Sequence, residues 1–507
     1  MTTVAELVLA RAEDDDVGLR FEDAAWSWRQ VVAEAWARAA LLERTRRPGP
    51  FHVGVLLENV PEYLFLLCGA ALAGAAVVGI NPTRRGAELA RDVRHTDCQL
   101  VVTDEGSLPL LEGLDIGVGP DRVLLAGSPT YARATQRGDG RPPPGWAPPG
   151  PDALYLLLFT SGSTGAPKAV RVTQGRMAGQ ASTMARGSGF GPGDVMYCAM
   201  PLFHGNALNT CVVPAVASGA TLVLRRRFSA SGFLPDVRRY GVTYFNYVGR
   251  ALAYVLATDP APDDADNTLR FGFGTDASPR DISAFKRRFA CPIVEGYGSS
   301  EGAIAMSRVP GTPRAAIGKP PPGTDVVIVD PVTGQECPPA RFDGEGMLRN
   351  GSEAIGEIVS RDGVARFEGY HANAEADAER TRNGWFWSGD LGYRDAEGFF
   401  YFAGRTSDWL RVDGENFAAA PVERILARFP GVVTAVVYPV PDPRTGDQAM
   451  AVLELADPGG FDPGAFARFL EEQPDLGTKW APLFVRVTGA VPLTASGKVD
   501  KRPLRRA

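Results

Sequence analysis

With 507 residues, 45% of them apolar and 22% charged, the chain is too long for a single hydrophobic core and too apolar for disorder, so two to four domains are expected. A net charge of -6 with scattered basic residues carries no footprint for nucleic acid, which leaves small molecules or proteins as partners. The cysteines at 68, 98, 198, 211, 291 and 337 form no CxxC pair and no ligand spacing with the four histidines, which points to a reduced, cytoplasmic compartment and no transition-metal centre.

The stretch Met1 to Arg20 carries Glu13, Asp14, Asp15 and Asp16 and lacks the flank and apolar run of a secretory signal. Apolar residues recur at helical spacing from Trp26 to Arg44, followed by a strand at His52 to Leu57, a helix at Pro61 to Ala73 and a strand at Ala76 to Ile80. The uncharged run Leu64 to Ile80 approaches the length of a membrane span, but glycines at 69, 74 and 79 divide it into a buried helix and a strand, so no transmembrane segment is expected. A helix at Glu88 to His95 and a strand at Leu100 to Thr103 continue the alternation, which argues for a mainly parallel α/β sheet.

Gly138 to Pro151 reads as a Pro/Gly-rich connector before the apolar strand Leu154 to Phe159. The alternation then resumes with strands at Ala220 to Leu224, Val242 to Tyr247 and Ile293 to Glu295 and helices at Ser229 to Tyr240 and Ile282 to Phe289. After about residue 315, short strands and Gly-Asp turns such as Asp325 to Val329 and Phe399 to Ala403 suggest a smaller β-rich subdomain. The last hundred residues, with helices at Pro421 to Arg428 and Pro463 to Glu472 around a strand at Thr434 to Val440, read as a small α+β module. The expected fold is therefore α/β: a large domain over 1–404, made of α/β units 1–137 and 152–315 and a β-rich part 316–404, then a mobile lid domain over 405–507.

The most informative segment is Thr160-Ser161-Gly162-Ser163-Thr164-Gly165-Ala166-Pro167-Lys168, placed where a buried strand breaks. Glycines let backbone N–H groups approach anionic oxygens, hydroxyls add donors, and the lysine supplies a point charge, so the loop suits the terminal phosphates of a nucleotide. It is not the Walker pattern, because Pro167 precedes the lysine and no Ser or Thr follows it. Only six of the 53 basic residues are lysines, and two of them, Lys168 and Lys498, follow loops rich in Gly, Ser and Thr.

Tyr297-Gly298-Ser299-Ser300-Glu301-Gly302 places a carboxylate on a glycine-flanked turn after a strand, where it could hold Mg²⁺. Taken alone it reads as an ordinary turn with a solvated Glu. Trp387-Ser388-Gly389-Asp390 offers Asp390 to a ribose hydroxyl pair or is a plain β-turn, and Gly404-Arg405 suits an anion, a ribose or a surface ion pair.

In this order and at these separations, the segments resemble the adenylate-forming superfamily of acyl-CoA synthetases, peptide-synthetase adenylation domains and luciferases, over essentially the whole chain. The texture around Phe273-Gly274-Thr275-Asp276 and Arg405 to Asn416 looks most like fatty-acid-transport-protein-like bacterial acyl-CoA synthetases. The resemblance implies that a carboxylate attacks the α-phosphorus of ATP to give acyl-AMP and pyrophosphate, after which the thiol of coenzyme A displaces AMP. It further implies that Thr160 to Lys168 hold the β,γ-phosphates, Glu301 and Thr164 the Mg²⁺, and Ser300, beside Gly298 and Ser299, the α-phosphate. Gly274, Thr275 and Asp276 would border the adenine with Tyr297 stacking on it, Asp390 and Arg405 would bind ribose, and Lys498 would bridge carboxylate and α-phosphate. Gly414 would line the pantetheine tunnel, His204 would gate the acyl pocket or be a satisfied core histidine, and the hinge would fall at Ser407 or Asp408.

Amino-acid-activating relatives place an aspartate after the segment matching Phe203 and His204, where this chain has Gly205-Asn206-Ala207. The presumed pocket segments, Gly205 to Thr210, Asn246 to Arg250 and Phe271 to Thr275, mix small with aromatic residues and offer no buried charge to match a polar substrate, and glycines at 205, 249, 272 and 274 suggest room for a broad apolar acid. The expected substrate is a fatty, aryl or bulky polycyclic carboxylic acid. The acceptor is coenzyme A or, as the alternative, the phosphopantetheine of an acyl carrier protein.

Overall fold

A computed structural model describes residues 2–136, 142–160, 168–275, 277–344, 348–405, 409–412, 415–442, 446–473, 476–477, 479–494 and 497–506. The chain folds as two compact units. Met1–Val294 with Glu368–Ala376 forms the first, and Glu295–Phe367 with Asp377–Ala507 forms the second.

The first unit holds two sheets. In one, the strands run in the order Val123–Leu125, Cys98–Thr103, His52–Leu56, Ala76–Gly79, Leu154–Thr160 and Lys168–Thr173, parallel except for the last. The other runs Ile293–Glu295, Phe271–Thr275, Tyr244–Val248, Val195–Cys198, Thr221–Leu224, Val17–Phe21 and Ala24–Ser27. The hairpin near the start of the chain thus completes a sheet whose other strands come after residue 194, with Leu19 opposite Leu222.

The helix Pro61–Ala73 is buried from Tyr63 onward, starts with proline in its first turn and ends on Gly74 in the left-handed region (φ 61°). It packs on Trp28–Thr45 so closely that a Cβ at Gly69 would lie 2.8 Å from the Ala35 carbonyl oxygen. Its uniform apolarity is that of a helix covered by protein on all sides. Among the described residues, no helix is long and apolar enough to cross a membrane. All six cysteines are buried free thiols.

The second unit contains an antiparallel sheet ordered Val326–Val329, Gly356–Ser360, Phe386–Arg394 and Phe400–Arg405. A second sheet joins Glu415–Ala418, Trp409–Val412, Gly446–Leu455 and Val432–Asp442, with Phe484–Thr488 added in parallel to Gly446–Leu455. Its core includes Leu410, Phe417, Val422, Val437, Leu453 and Phe466.

Candidate active site

In the first unit the two strands that flank the hydroxyl-rich segment, Leu154–Thr160 and Lys168–Thr173, pair in antiparallel. Thr160 stands opposite Lys168 in the antiparallel register, so strand pairing fixes these two residues relative to each other. Ser161, Gly162, Ser163, Thr164 and Gly165 lie outside the described residues, as do Asp276, Gly414, Ser407 and Asp408. Lys168 is 5% exposed, and its ammonium sits 5.9 Å from the ring centroid of Tyr370.

Tyr370 belongs to a segment that the sequence reading passed over. Glu368–Ala376 returns to the first unit along the free edge of Lys168–Thr173: Arg171 N donates to Gly369 O (3.0 Å), His371 N donates to Ala169 O (2.8 Å), and Val170 bridges Tyr370. The Glu368 carboxylate anchors it, accepting from Thr173 N (2.9 Å), Thr173 Oγ1 (2.6 Å) and Arg176 Nη1 (3.5 Å). This strap holds the lysine-bearing strand from its open side. No local signal marks it, since an edge pairing across some 200 positions leaves no periodicity.

The strands Tyr244–Val248 and Phe271–Thr275 pair in parallel, with Tyr244 opposite Phe271, Asn246 opposite Phe273 and Val248 opposite Thr275. These six side chains share one face, because successive strand residues alternate. Phe271, Phe273 and Thr275 are only half-buried although their strand is an interior one, which marks an opening along that face. Phe190, stacked on Phe271 at 5.8 Å, and Tyr244 close its lower end. The helical stretch Gly205–Ala207 and Leu208–Val212 lies against it: Tyr244 Oη donates to Thr210 O (2.7 Å) and Asn246 Nδ2 donates to Asn206 Oδ1 (2.8 Å). His204 precedes this stretch and is half-buried, its ring 4.6 Å from that of Phe203.

Two of the glycines read as making room for the acid do something else. A Cβ on Gly272 would lie 2.6 Å from Phe245 Cε1 and 2.9 Å from Ile293 Cδ1, and one on Gly274 would lie 2.6 Å from Tyr247 Cδ1. Both point to the opposite face of the sheet, where aromatic rings already fill the space. They are glycines because the rings of the neighbouring strand lie over them.

In the second unit Tyr297 and Asp390 are brought together, the phenol donating to Asp390 Oδ2 at 2.7 Å. Burial and the adjacent carboxylate push the Tyr297 hydroxyl far above its ordinary range, so it stays a donor. Asp390 N donates to Ser388 Oγ (3.0 Å), whose hydroxyl donates to Ile358 O (2.6 Å). Arg405 stands opposite Asp390 in the antiparallel register. Gly298 pairs with Ala305, Gly302 N donates to Ser299 O (3.0 Å) to close the following turn, and Gly302 adopts φ 71°. That turn carries half-buried Ser300 and buried Glu301. The Ser299 hydroxyl is buried with no hydrogen-bond partner among the described residues.

Sequence reading also missed Glu357, which is 3% exposed and accepts from Gly389 N (2.7 Å), pinning the turn before Asp390. Burial pushes its carboxyl above the usual range. Lys498 lies in a tight hairpin in which Thr494 N donates to Lys498 O (2.7 Å), Lys498 N donates to Thr494 Oγ1 (3.2 Å) and Gly497 takes φ 82°.

The fold is that of adenylate-forming enzymes. ATP-bound MatB from Rhodopseudomonas palustris superposes with a TM-score of 0.86 at 23% identity, covering 99% of this chain and 98% of that one, and a benzoate CoA ligase from Burkholderia xenovorans LB400 with 0.84 at 19% identity, covering 100% of each. Residues 8–371 match the family described as AMP-binding enzyme and residues 421–498 the AMP-binding enzyme C-terminal domain, and the chain belongs to this family. It is 55% identical over 506 residues to steroid-22-oyl-CoA synthetase of Rhodococcus jostii (strain RHA1), covering 99% of this chain and 91% of that protein. It is 45% identical over 509 residues to medium/long-chain-fatty-acid–CoA ligase FadD17 of Mycobacterium tuberculosis (strain ATCC 25618 / H37Rv), covering 99% and 96% respectively. The protein is an AMP-forming acyl-CoA synthetase, an acid–thiol ligase that uses ATP.

Proposed function

We propose that the acid is bulky and polycyclic, of steroid-like skeleton, and that this chain converts it to acyl-AMP and then to its CoA thioester. The observation that carries this reading is the half-buried face Phe271, Phe273 and Thr275 on an interior strand. Aromatic rings left partly uncovered on a strand that is paired on both sides offer a flat apolar wall, and such a wall suits fused rings. The similarity to a steroid-22-oyl-CoA synthetase supports the same class.

The first half-reaction joins two anions, so charge must be neutralised before attack can be oriented. Lys168 and Thr160 to Gly165 would hold the β,γ-phosphates and Ser300 the α-phosphate. Tyr297 would stack on the adenine bordered by Gly274, Thr275 and Asp276, while its hydroxyl fixes Asp390, which with Arg405 would bind ribose. Buried Glu301, two residues after Ser299, whose buried hydroxyl has no hydrogen-bond partner among the described residues, fits a hard cation with oxygen ligands, so Glu301 and Thr164 would hold Mg²⁺. When bound, that ion neutralises phosphate charge. Lys498 would pair with the carboxylate as it attacks the α-phosphorus, a role for a compact cation on a flexible stem. In the second half-reaction the domain 405–507 would turn about Ser407 or Asp408 against 1–404, withdrawing Lys498 and admitting the pantetheine thiol past Gly414. The cytoplasm, where ATP and CoA are held, is the fitting location.

The test is acid-dependent ATP–pyrophosphate exchange over fatty, aryl and polycyclic acids, followed by mass detection of the thioester with CoA or a holo-carrier protein. Exchange and CoA thioester with polycyclic acids are expected. Response only to acetate or amino acids refutes the acid class, and transfer only to the carrier protein refutes the acceptor.

A further inference from the structure

The face that the acid would contact is not wholly apolar. Asn246 is 3% exposed in the middle of an interior strand, flanked by Tyr244 and Val248 on its own strand and set opposite Phe273 on the next. Its Nδ2 donates to Asn206 Oδ1 at 2.8 Å, which leaves Asn246 Oδ1 buried without a partner among the described residues. Asn209, three positions after Asn206 on the same helical stretch, also has a buried Oδ1 without a partner among the described residues. Asn206 itself is braced, because Thr210 Oγ1 donates to its carbonyl at 2.7 Å and Tyr244 Oη donates to Thr210 O. The five-residue stretch Leu208–Val212 is wound as a π-helix, a local distortion frequent at functional sites.

A buried amide oxygen left unpaired in an apolar surround is costly, and natural proteins place such groups where something else completes the hydrogen bond. An acceptor calls for a donor. A carboxylic acid built only of hydrocarbon has none to offer, whereas one carrying a hydroxyl does. The position of Asn246 along the strand sets where that hydroxyl must be. Thr275, opposite Val248, lies at the carboxyl end of the strands, where ligands of parallel sheets react. Asn246 is two residues further in, roughly 7 Å along the strand.

Resting on the acyl-pocket reading above, we infer that Asn246, oriented by Asn206, is a specificity residue that accepts a hydrogen bond from a hydroxyl carried on the acid's skeleton roughly 7 Å or more from the carboxylate. The enzyme then favours a hydroxylated polycyclic acid over the same skeleton without the hydroxyl. An oxidation that installs this hydroxyl, or a parent compound already bearing it, must precede the ligase.

Matched polycyclic acids bearing a remote hydroxyl, a ketone at the same carbon, or neither are assayed for CoA thioester formation with the wild type, Asn246→Leu and Asn206→Ala. Wild type is expected to prefer the hydroxy acid to the deoxy acid by ~10–100-fold in kcat/KM, the range of one buried hydrogen bond. In Asn246→Leu the ratio should fall to within about threefold, because an apolar side chain no longer leaves an acceptor unpaired. Asn206→Ala, at a half-buried position, should lower the ratio in the same direction and serves if Asn246→Leu does not fold. An equal ratio in wild type and variants, or preference for the ketone or deoxy acid, overturns the inference while leaving the acid class standing. If no polycyclic acid reacts, the proposed class fails, and a hydroxy/deoxy pair from the accepted class tests Asn246 by the same ratio.

Discussion

Gly272→Ala separates packing from substrate room at one position. The added methyl would sit 2.6 Å from Phe245 Cε1 and 2.9 Å from Ile293 Cδ1, against an ordinary carbon–carbon contact of roughly 3.5–4 Å, so the ring must move by about 1 Å. Phe245 is 4% exposed and wedged between Phe233 at 4.9 Å and Phe285 at 5.5 Å between ring centroids. The hollow lined by Phe233, Phe245 and Tyr247 measures only about 10 Å³, too little to take up the shift. That places the cost in the ordinary range for overpacking, about 1–3 kcal/mol, or a fall of roughly 2–12 °C in Tm. Scanning calorimetry measures the loss. Thioester kinetics with a short fatty acid and a polycyclic acid should show their kcat/KM ratio unchanged, since the methyl lies on the face of the sheet away from Asn246 and Phe273. An unchanged Tm together with selective loss of the polycyclic acid would refute the assignment of faces.

Lys498→Ala should slow acyl-adenylate formation by ~10²–10³-fold while leaving thioester formation from supplied acyl-AMP within a few-fold of wild type; equal loss in both half-reactions argues against its role. Tyr297→Phe keeps the ring but removes the donor to Asp390, so KM for ATP should rise by roughly 3–20-fold, with a smaller rise for 2′-deoxy-ATP; no change would detach Asp390 from ribose binding. Asp92 is 2% exposed, has one oxygen without a hydrogen-bond partner among the described residues despite Arg84 at 2.8 Å, and burial pushes its carboxyl up to about 6. The native state therefore binds more protons than the unfolded one between pH ~4 and 6, so wild-type stability falls as pH rises through this window. The Tm advantage of Asp92→Asn over wild type should be absent near pH 4 and grow to its full value, on the order of 2–3 kcal/mol, by pH 7. A constant difference across that range would show that Asp92 is not destabilised by its charge.

Much of the local structure was legible residue by residue. The helix Pro61–Ala73 and the strand Ile293–Glu295 lie where periodicity and punctuation put them, and the helix at Pro463 ends within one residue of its expected close. Short-range rules suffice there, because a proline at a first turn, a glycine at a left-handed cap and an apolar repeat each act within a few residues. The hydroxyl-rich loop, the Tyr297 turn and the Asp390 turn were likewise visible as residue types in order. What tertiary structure alone decided is partnership: the hairpin at Val17–Phe21 closing a sheet with Thr221–Leu224, Glu368 clamping the strand that carries Lys168, Glu357 pinning Gly389, and Asn206 meeting Asn246. Gly272 and Gly274 show the limit most clearly. A glycine on a strand marks a close approach, but whether a ligand or a neighbouring ring approaches depends on the face it points to, and that is set by register with strands far away in the chain.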